Sequence, residues 1–434
     1  MTEGIASSGS RRYLAYGIAA SLLGLWALTA FRVWQFTGLF WWLGIDYGGI
    51  SVAANVFLEK GPTALYDADV VLRSAEALSG YYGPIAGALT IGTAPYPPPF
   101  YLLYAPFSVL PPAIGFLLWT LANVTLAIWL IRSLDSRFSQ RSWARVMIVL
   151  AWFPLMYAFW LGHTVLWAVV LHRAYRNLED GREFRSGLWI GLLLLKPQFG
   201  LFLALVLIYK RRWAALAGFG LVGLLLALAS LGMFLPDGLP TYLAMWQGKT
   251  QFWATEHNMH AQSMITWRGL LVNVLPQTTP DAQAMAITLV LSGLTASSLL
   301  LVWRGPWNPR DERFATRMFA TIVVTMLASI HNHAFGAMLL LGPGMVLAAQ
   351  GGGPRPLQAL LRVAVYAPTL VFVITTATEL VAICMISLLA VALVAVLTDE
   401  VRVWMSERTR LGHADHPRQT IRALTWTRAI TPSS

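Results

Sequence analysis

The chain has 434 residues, of which 57% are hydrophobic and 12% charged. A soluble protein carries about 25% charged residues, so this chain has too few to coat a water-facing surface. Its formal net charge of +11 sits in short clusters between long apolar runs, which reads as membrane topology rather than a groove for phosphates. Soluble, disordered and nucleic-acid-binding classes are thereby excluded, and the expected class is an all-α, polytopic integral membrane protein in the lipid bilayer. The single cysteine, Cys384, lies inside an apolar run, so no disulfide framework or zinc finger is available.

Arg11 and Arg12 precede an apolar stretch from Tyr13 to Phe31 with no small-residue cleavage site after it. That pattern predicts a retained first helix. A crossing takes about 20 apolar residues, and candidate spans fall at 13–34, 113–131, 146–162, 164–178, 213–235, 283–303, 314–331, 334–349, 363–378 and 380–398. With the segment at 187–209 this predicts ten to twelve transmembrane helices. Lys196-Pro197-Gln198 interrupts that segment: the proline breaks the hydrogen-bond ladder and a lysine is costly in lipid. It is either one kinked span or a hairpin that dips in and returns.

Charge counting favours the hairpin, with the Lys-Pro-Gln motif at its outer tip. Both termini are then cytoplasmic, and the inner loops hold 25 of the 31 basic residues. If 187–209 crossed once, the Arg304, Arg310, Arg313 and Arg317 cluster would face outside, against the positive-inside bias. Residues 1–12 form a cytoplasmic N-terminus and 13–398 one transmembrane domain with long outer loops at 35–112 and 236–282. Residues 399–434 are expected to be a disordered basic tail. In the first outer loop, helical stretches at Ser51–Leu58 and Val70–Leu78 are too short to span. With Trp41, Trp42, Tyr47, Tyr66, Tyr81 and Tyr82 nearby, they are expected to lie in the interface. A rigid Pro95–Pro99 turn follows, and Trp246, Phe252, Trp253 and Trp267 mark the second outer loop.

Few residues are placed to do chemistry. Asp46 follows Trp41-Trp42-Leu43-Gly44-Ile45 at the outer membrane surface, where a desolvated carboxylate can act as a general base toward a hydroxyl; the alternative is an interfacial capping aspartate. Asp67 reads as a helix cap. His163, His257, His260, His331 and His333 fall on the expected outer face, whereas His172 sits at the inner interface and His413 and His416 in the tail. His331-Asn332-His333 has a spacing a metal could use, but no carboxylate or cysteine is near it in sequence. Hydrogen bonding or proton donation to a lipid phosphate is the expected role, with no metal. Lys196 at membrane depth calls for an anionic partner or a polar cavity, unless it snorkels to the interface. Arg268 is the one arginine of the second outer loop and suits bidentate phosphate binding. One base with several cations on one face is what a hydroxyl attacking beside a phosphate leaving group needs.

The order of segments resembles glycosyltransferase family 87, the polyprenol-phosphate-mannose-dependent α-mannosyltransferases of the GT-C superfamily. The resemblance runs from about residue 40 to 350. It is carried by Asp46-Tyr47, Ala53-Ala54 and Gly61-Pro62-Thr63-Ala64-Leu65-Tyr66-Asp67, then Tyr96-Pro97-Pro98-Pro99-Phe100 with Pro106 and Leu110-Pro111. Gly162-His163, Lys196-Pro197-Gln198 ahead of Lys210-Arg211-Arg212-Trp213, Gln262-Ser263-Met264 with Arg268, and Ser329-Ile330-His331 complete it. It implies a GT-C-like fold and an inverting, metal-independent transfer without a cofactor. Asp46 would be the base, and Lys196, Arg268 and His331 would meet the phosphate of a polyprenyl-phosphate sugar donor. Tyr47, His163, Gln198, His260, Gln262 and His333 are further cavity candidates. The chain departs from the family pattern at His163, where glutamine commonly follows the glycine. Ile330 stands where a proline is usual, and no Tyr-Asp pair follows His331. Mannose is the expected sugar, with another hexose or a pentose as alternatives, and the acceptor is a lipid or glycan. The expected location is the inner (plasma) membrane, with the active site extracytoplasmic. The competing class is a multi-span transporter or flippase, against which stand the lack of matching halves and the scarcity of charges deep in the spans.

Overall fold

The computed structural model describes residues 2–37, 43–77, 96–139, 141–235, 238–249, 260–350 and 355–414. Of the residues singled out above, Trp41, Trp42, Tyr81, Tyr82, Pro95, Phe252, Trp253, His257 and His416 lie outside them. The described chain is helical, and its one extended contact is an isolated antiparallel bridge between Met264 and His333. The helices are α1 (Thr2–Thr37), α2 (Ile45–Lys60), α3 (Ala68–Ala77), α4 (Pro112–Asp135), α5 (Trp143–Leu150), α6 (Phe153–Leu161), α7 (Leu166–Glu179) and α8 (Glu183–Leu192). They continue with α9 (Pro197–Tyr209), α10 (Trp213–Phe234), α11 (Gly238–Lys249), α12 (Trp267–Val274), α13 (Asp281–Val302), α14 (Glu312–Ala328), α15 (Leu341–Gln350), α16 (Arg355–Thr375) and α17 (Thr378–Ala414).

Every apolar run forms helix, but not every helix can cross alone. Among the described residues five are long and apolar enough: α4, α10, α13, α16 and α17. Helices α5 and α6, bent by 59° at Ala151-Trp152, make a sixth if taken as one broken span. The count of ten to twelve treats each run as a crossing, whereas α7 has 14 residues. At 1.5 Å per residue that is about 21 Å, short of the roughly 30 Å hydrocarbon core.

The Lys-Pro-Gln segment is a hairpin. Helix α8 continues into a 3-10 turn (Leu193–Leu195), the chain breaks at Lys196, and α9 runs back from Pro197. Its two ends meet: Glu183, at the start of α8, forms an ion pair with Arg212, just beyond α9. Small residues let α8 lie along α10, since a Cβ on Gly187 would overlap the carbonyl oxygen of Ala215 and one on Gly218 that of Phe184. The arms of 13 residues each are about 20 Å long, against about 33 Å for the 22 residues of α10. Leu194 accordingly packs on Gly223, ten residues into α10. The tip thus stops level with the middle of the neighbouring helix, and Lys196 sits inside the bundle rather than at its outer surface.

The first outer segment fills the space this leaves. Helix α2 does not lie in the interface as expected: residues from Tyr47 to Ala54 are buried, because it is apolar on all sides and packs within the bundle. At the far end of α10, Phe234 packs on Tyr66 of this segment, ring centroids 5.4 Å apart.

Helices α7, α9 and α14 each run between two poles. One pole is a network of ion pairs: Arg137 with Glu179 (2.9 and 2.5 Å), Arg313 with Asp399 (2.7 Å) and Arg317 with Glu400 (3.3 Å). Lys210 there donates to the carbonyls of Trp303 and Gly305 (2.9 and 2.7 Å). These pairs also correct the expectation of a disordered tail from residue 399. Asp399 and Glu400 are gripped by α14, and α17 continues unbroken to Ala414. The opposite ends of the same three helices carry His163, Lys196 and His331.

Two outcomes follow. In a Cys384→Ser background, cysteines at the exposed positions Arg185 and Arg211 should react with a membrane-impermeant maleimide from the same side, and one at Gln262 from the other. Gly187→Leu should lower the thermal stability of the detergent-solubilised protein by about 1–3 kcal/mol. Gly220→Leu, where a Cβ would meet nothing within 4 Å, should leave the melting temperature unchanged.

Candidate active site

Asp46 stands in the first turn of α2, where unpaired backbone N–H groups favour a carboxylate. Gly44 caps this helix in the left-handed region (φ 75°), and its N–H donates to the Trp160 carbonyl (2.7 Å). That left-handed turn is a conformation few residues other than glycine adopt, and a Cβ there would press on the ring of Phe116. A second left-handed glycine, Gly162 (φ 86°), ends α6, and its carbonyl accepts from Trp119 Nε1 at 2.8 Å. A Cβ on Gly162 would overlap that of Tyr47. The two glycines thus bring the backbones at 44–47 and 162–163 together and set His163 against Asp46.

The result is a hydrogen bond of 2.7 Å between His163 Nε2 and Asp46 Oδ2. The imidazole is 5% exposed while the carboxylate keeps 30% of its side chain accessible. The reactive group is therefore reached from one side while its partner is enclosed. Burial works to raise the Asp46 carboxyl. The hydrogen bond from His163 outweighs it, aided at the acid pH where the carboxyl titrates by His163, His333 and Lys196 in their protonated forms, and holds the group below the ordinary carboxylate value. Burial and the nearby Lys196 charge push His163 down, so this imidazole is neutral at physiological pH and donates Nε2–H to an ionised Asp46.

Lys196 is 2% exposed. Its Nζ lies 4.9 Å from the ring centres of both Tyr96 and Phe335, 5.7 Å from Phe199 and 6.0 Å from Phe100. Ring faces stabilise an ammonium by about 0.5–2 kcal/mol each, which offsets part of the cost of burying this amine beside the carboxylate. Local geometry fixes the cage. Tyr96 stacks on Phe100 at 4.0 Å across the proline turn, its carbonyl accepts from Tyr66 Oη at 2.9 Å, and Pro197 starts α9 directly after the lysine. Phe335 is shared: His163 stacks on it at 3.6 Å and His333 at 5.8 Å.

The second outer loop and the turn after α14 are laced together. Met264 and His333 form the backbone bridge, and Ile265 N–H donates to the Asn332 carbonyl at 2.8 Å. Ser263 Oγ–H donates to the His260 carbonyl (2.9 Å), so in its 3.1 Å contact with His333 Nδ1 the hydroxyl accepts. His333 therefore carries its proton on Nδ1, and burial lowers its pKa to about 4. Its neutral Nε2 is a hydrogen-bond acceptor. His331 lies 4.9 Å from His333, and its buried Nδ1 makes no hydrogen bond among the described residues. Burial also holds His331 neutral, so it can donate or accept hydrogen bonds but adds no fixed charge. Arg268, 2% exposed at the start of α12, bears electrostatically on His331.

The structure thus gathers Asp46, His163, Lys196, His331 and His333, with Arg268 beside them. His260 and Gln262 are on the exposed surface of the adjoining loop, and Gln198 is half-buried as the second residue of α9. Tyr47 is a correction. It is 1% exposed, packs on Phe116, Trp119 and Tyr104, and donates to the Phe107 carbonyl at 3.3 Å. Neighbours on a helix point about 100° apart, so Asp46 facing the cluster turns Tyr47 into the core. The aromatic cage was missed. Tyr96 and Phe100 stood in a quoted motif without a role, and nothing near Phe335 in sequence marks it.

A partly exposed carboxylate, hydrogen-bonded to a buried imidazole and grouped with a caged lysine inside a bundle of apolar helices, defines a multi-pass membrane protein with a polar site in its interior. The sequence model of glycosyltransferase family 87 matches residues 94–329, over half of the chain, and the chain belongs to that family: it is a membrane glycosyltransferase. His163, Lys196 and Arg268 fall inside the matched segment, Asp46 before it and His331 just after. No curated protein and no solved structure matches the chain.

Nitrogen NMR of selectively labelled histidine should find His333 with Nδ1 protonated and Nε2 bare at neutral pH. Ser263→Ala should shift that signal toward a mixture of tautomers.

Proposed function

We propose that this glycosyltransferase moves a sugar, mannose in the first instance, from a polyprenyl-phosphate donor to a hydroxyl of a lipid or glycan acceptor. Asp46 takes the hydroxyl proton as the acceptor oxygen bonds to the anomeric carbon. The bond from that carbon to the phosphate oxygen breaks on the opposite face, its electron pair leaves with the phosphate, and the configuration inverts. Lys196 meets the growing negative charge, with Arg268 beside it and His331 as a neutral donor; a preorganised charge in a water-poor site is worth far more than in water. The observation that carries this reading is the pairing of a hydrogen-bonded, accessible Asp46 with the caged Lys196. An extracytoplasmic site is supported by the arginine-rich pole at the far ends of α7, α9 and α14, since basic clusters favour the cytoplasmic side. The choice of mannose and of a polyprenyl carrier rests on the family resemblance.

The test is transfer of labelled mannose from mannosyl-phospho-polyprenol by the purified protein in lipid. Asp46→Ala and Asp46→Asn should each lose about 10²–10⁴-fold in kcat/KM, the usual contribution of a general base, and Lys196→Met should weaken donor use at least about tenfold. Asp46 acts only when ionised and its carboxyl is held low. On the acid side, activity should therefore fall as the pH drops through that depressed value. Wild-type turnover in both Asp46 variants would remove the proposed base.

A further inference from the structure

Resting on the reading of Asp46 as base, we infer that His163 is a positioning residue that commits one oxygen of the carboxylate and leaves the other for the acceptor hydroxyl. A carboxylate at the start of a helix can rotate among several donors, and a base must present a lone pair along one direction. Here Oδ2 is occupied by His163 Nε2–H at 2.7 Å, so Oδ1 is the oxygen open to a substrate. The imidazole is itself immobilised. Phe335 stacks on its ring at 3.6 Å with planes 28° apart, and the backbone N–H of His163 donates to the Ala158 carbonyl at 2.8 Å, which fixes the point from which the side chain leaves. Gly162 sets the direction from which it enters.

Because Nε2 carries the proton shared with Asp46, His163 cannot use that nitrogen as the base, and the transferred proton stays on Asp46. The other groups facing this carboxylate are His333, Lys196 and the hydroxyls of Tyr96, Tyr104 and Tyr157. Among the described residues His163 is the one whose side chain hydrogen-bonds the carboxylate, so its removal acts on Asp46 directly. A glutamine can supply the same N–H from its carboxamide without the stacked ring.

Two variants separate the donor from the ring: His163→Phe keeps the stack on Phe335 and removes the N–H, while His163→Gln keeps an N–H and removes the stack. In full-length protein in lipid nanodiscs, infrared titration of the carboxyl band lost in Asp46→Asn reads the protonation of Asp46 without any substrate. His163→Phe should raise its midpoint by about one pH unit or more, a tenfold gain in proton affinity, and His163→Gln should stay near wild type. The acid limb of kcat/KM for sugar transfer should move the same way in the same variants. A midpoint unmoved by His163→Phe, or moved as far by His163→Gln, overturns the inference. A shifted midpoint with no transfer from a polyprenyl-phosphate donor by any protein overturns the donor assignment and leaves the role of His163 standing.

Discussion

Placing an ammonium at mid-bundle depth in an apolar protein costs several kcal/mol, and much of the site follows from how that cost is offset. Lys196 is not neutralised by an adjacent carboxylate. It is held over four ring faces, two of them supplied by a proline turn in the first outer segment and one by the turn after α14. Those rings must come from distant parts of the chain, because one helix cannot surround its own side chain. The cage is therefore a reason for the outer segments to fold into the bundle, and it sets the lysine beside Asp46, whose ionised form is held chiefly by the His163 hydrogen bond.

Asp46 and Lys196 are handled in opposite ways. The lysine is enclosed among rings, with no direct ion pair among the described residues; the carboxylate is exposed on one side and tied on the other to a buried neutral imidazole. Phe335 stands between the two arrangements, stacked on His163 and lying under the ammonium. A change at that one ring alters the base and the cation together. The histidines, which as residue types suggested a cluster of cations, are pushed toward the neutral form by burial. The fixed positive charge beside the site is Arg268, and Lys196 adds a buried amine held within the aromatic cage.

The fold class could be read from apolar runs because lipid forces every buried backbone group into a helix. The hairpin was legible for a similar reason: Lys196-Pro197 cannot continue a helix through hydrocarbon, and the arginines around it fix which way the chain returns. Depth was not legible, since counting residues as apolar does not say whether a run crosses or stops half-way; the length of α10 beside the short arms decides it. Asp46 stood out as an acidic residue in an apolar setting, and Lys196 likewise. Tyr47 was misplaced because adjacency in sequence hides the turn of the helix between neighbours. Phe335 and the Asp46–His163 contact were invisible because they join residues over a hundred positions apart, and an aromatic in an apolar run carries no mark of its neighbour.

The half-height hairpin has a mechanical consequence for the region drawn as a loop between the first two long helices. Phe100 and Tyr101 in that region are wholly buried, as are Ala53 and Ala54, so the stretches that carry them are interior packing connected like a surface strap. Epitope insertions, length changes and chimaeric exchanges that ordinary extramembrane connections tolerate will behave there as lesions of the protein's centre. The stretches 44–56 and 96–104 should accordingly be counted with the helices when boundaries for truncation or fusion are chosen.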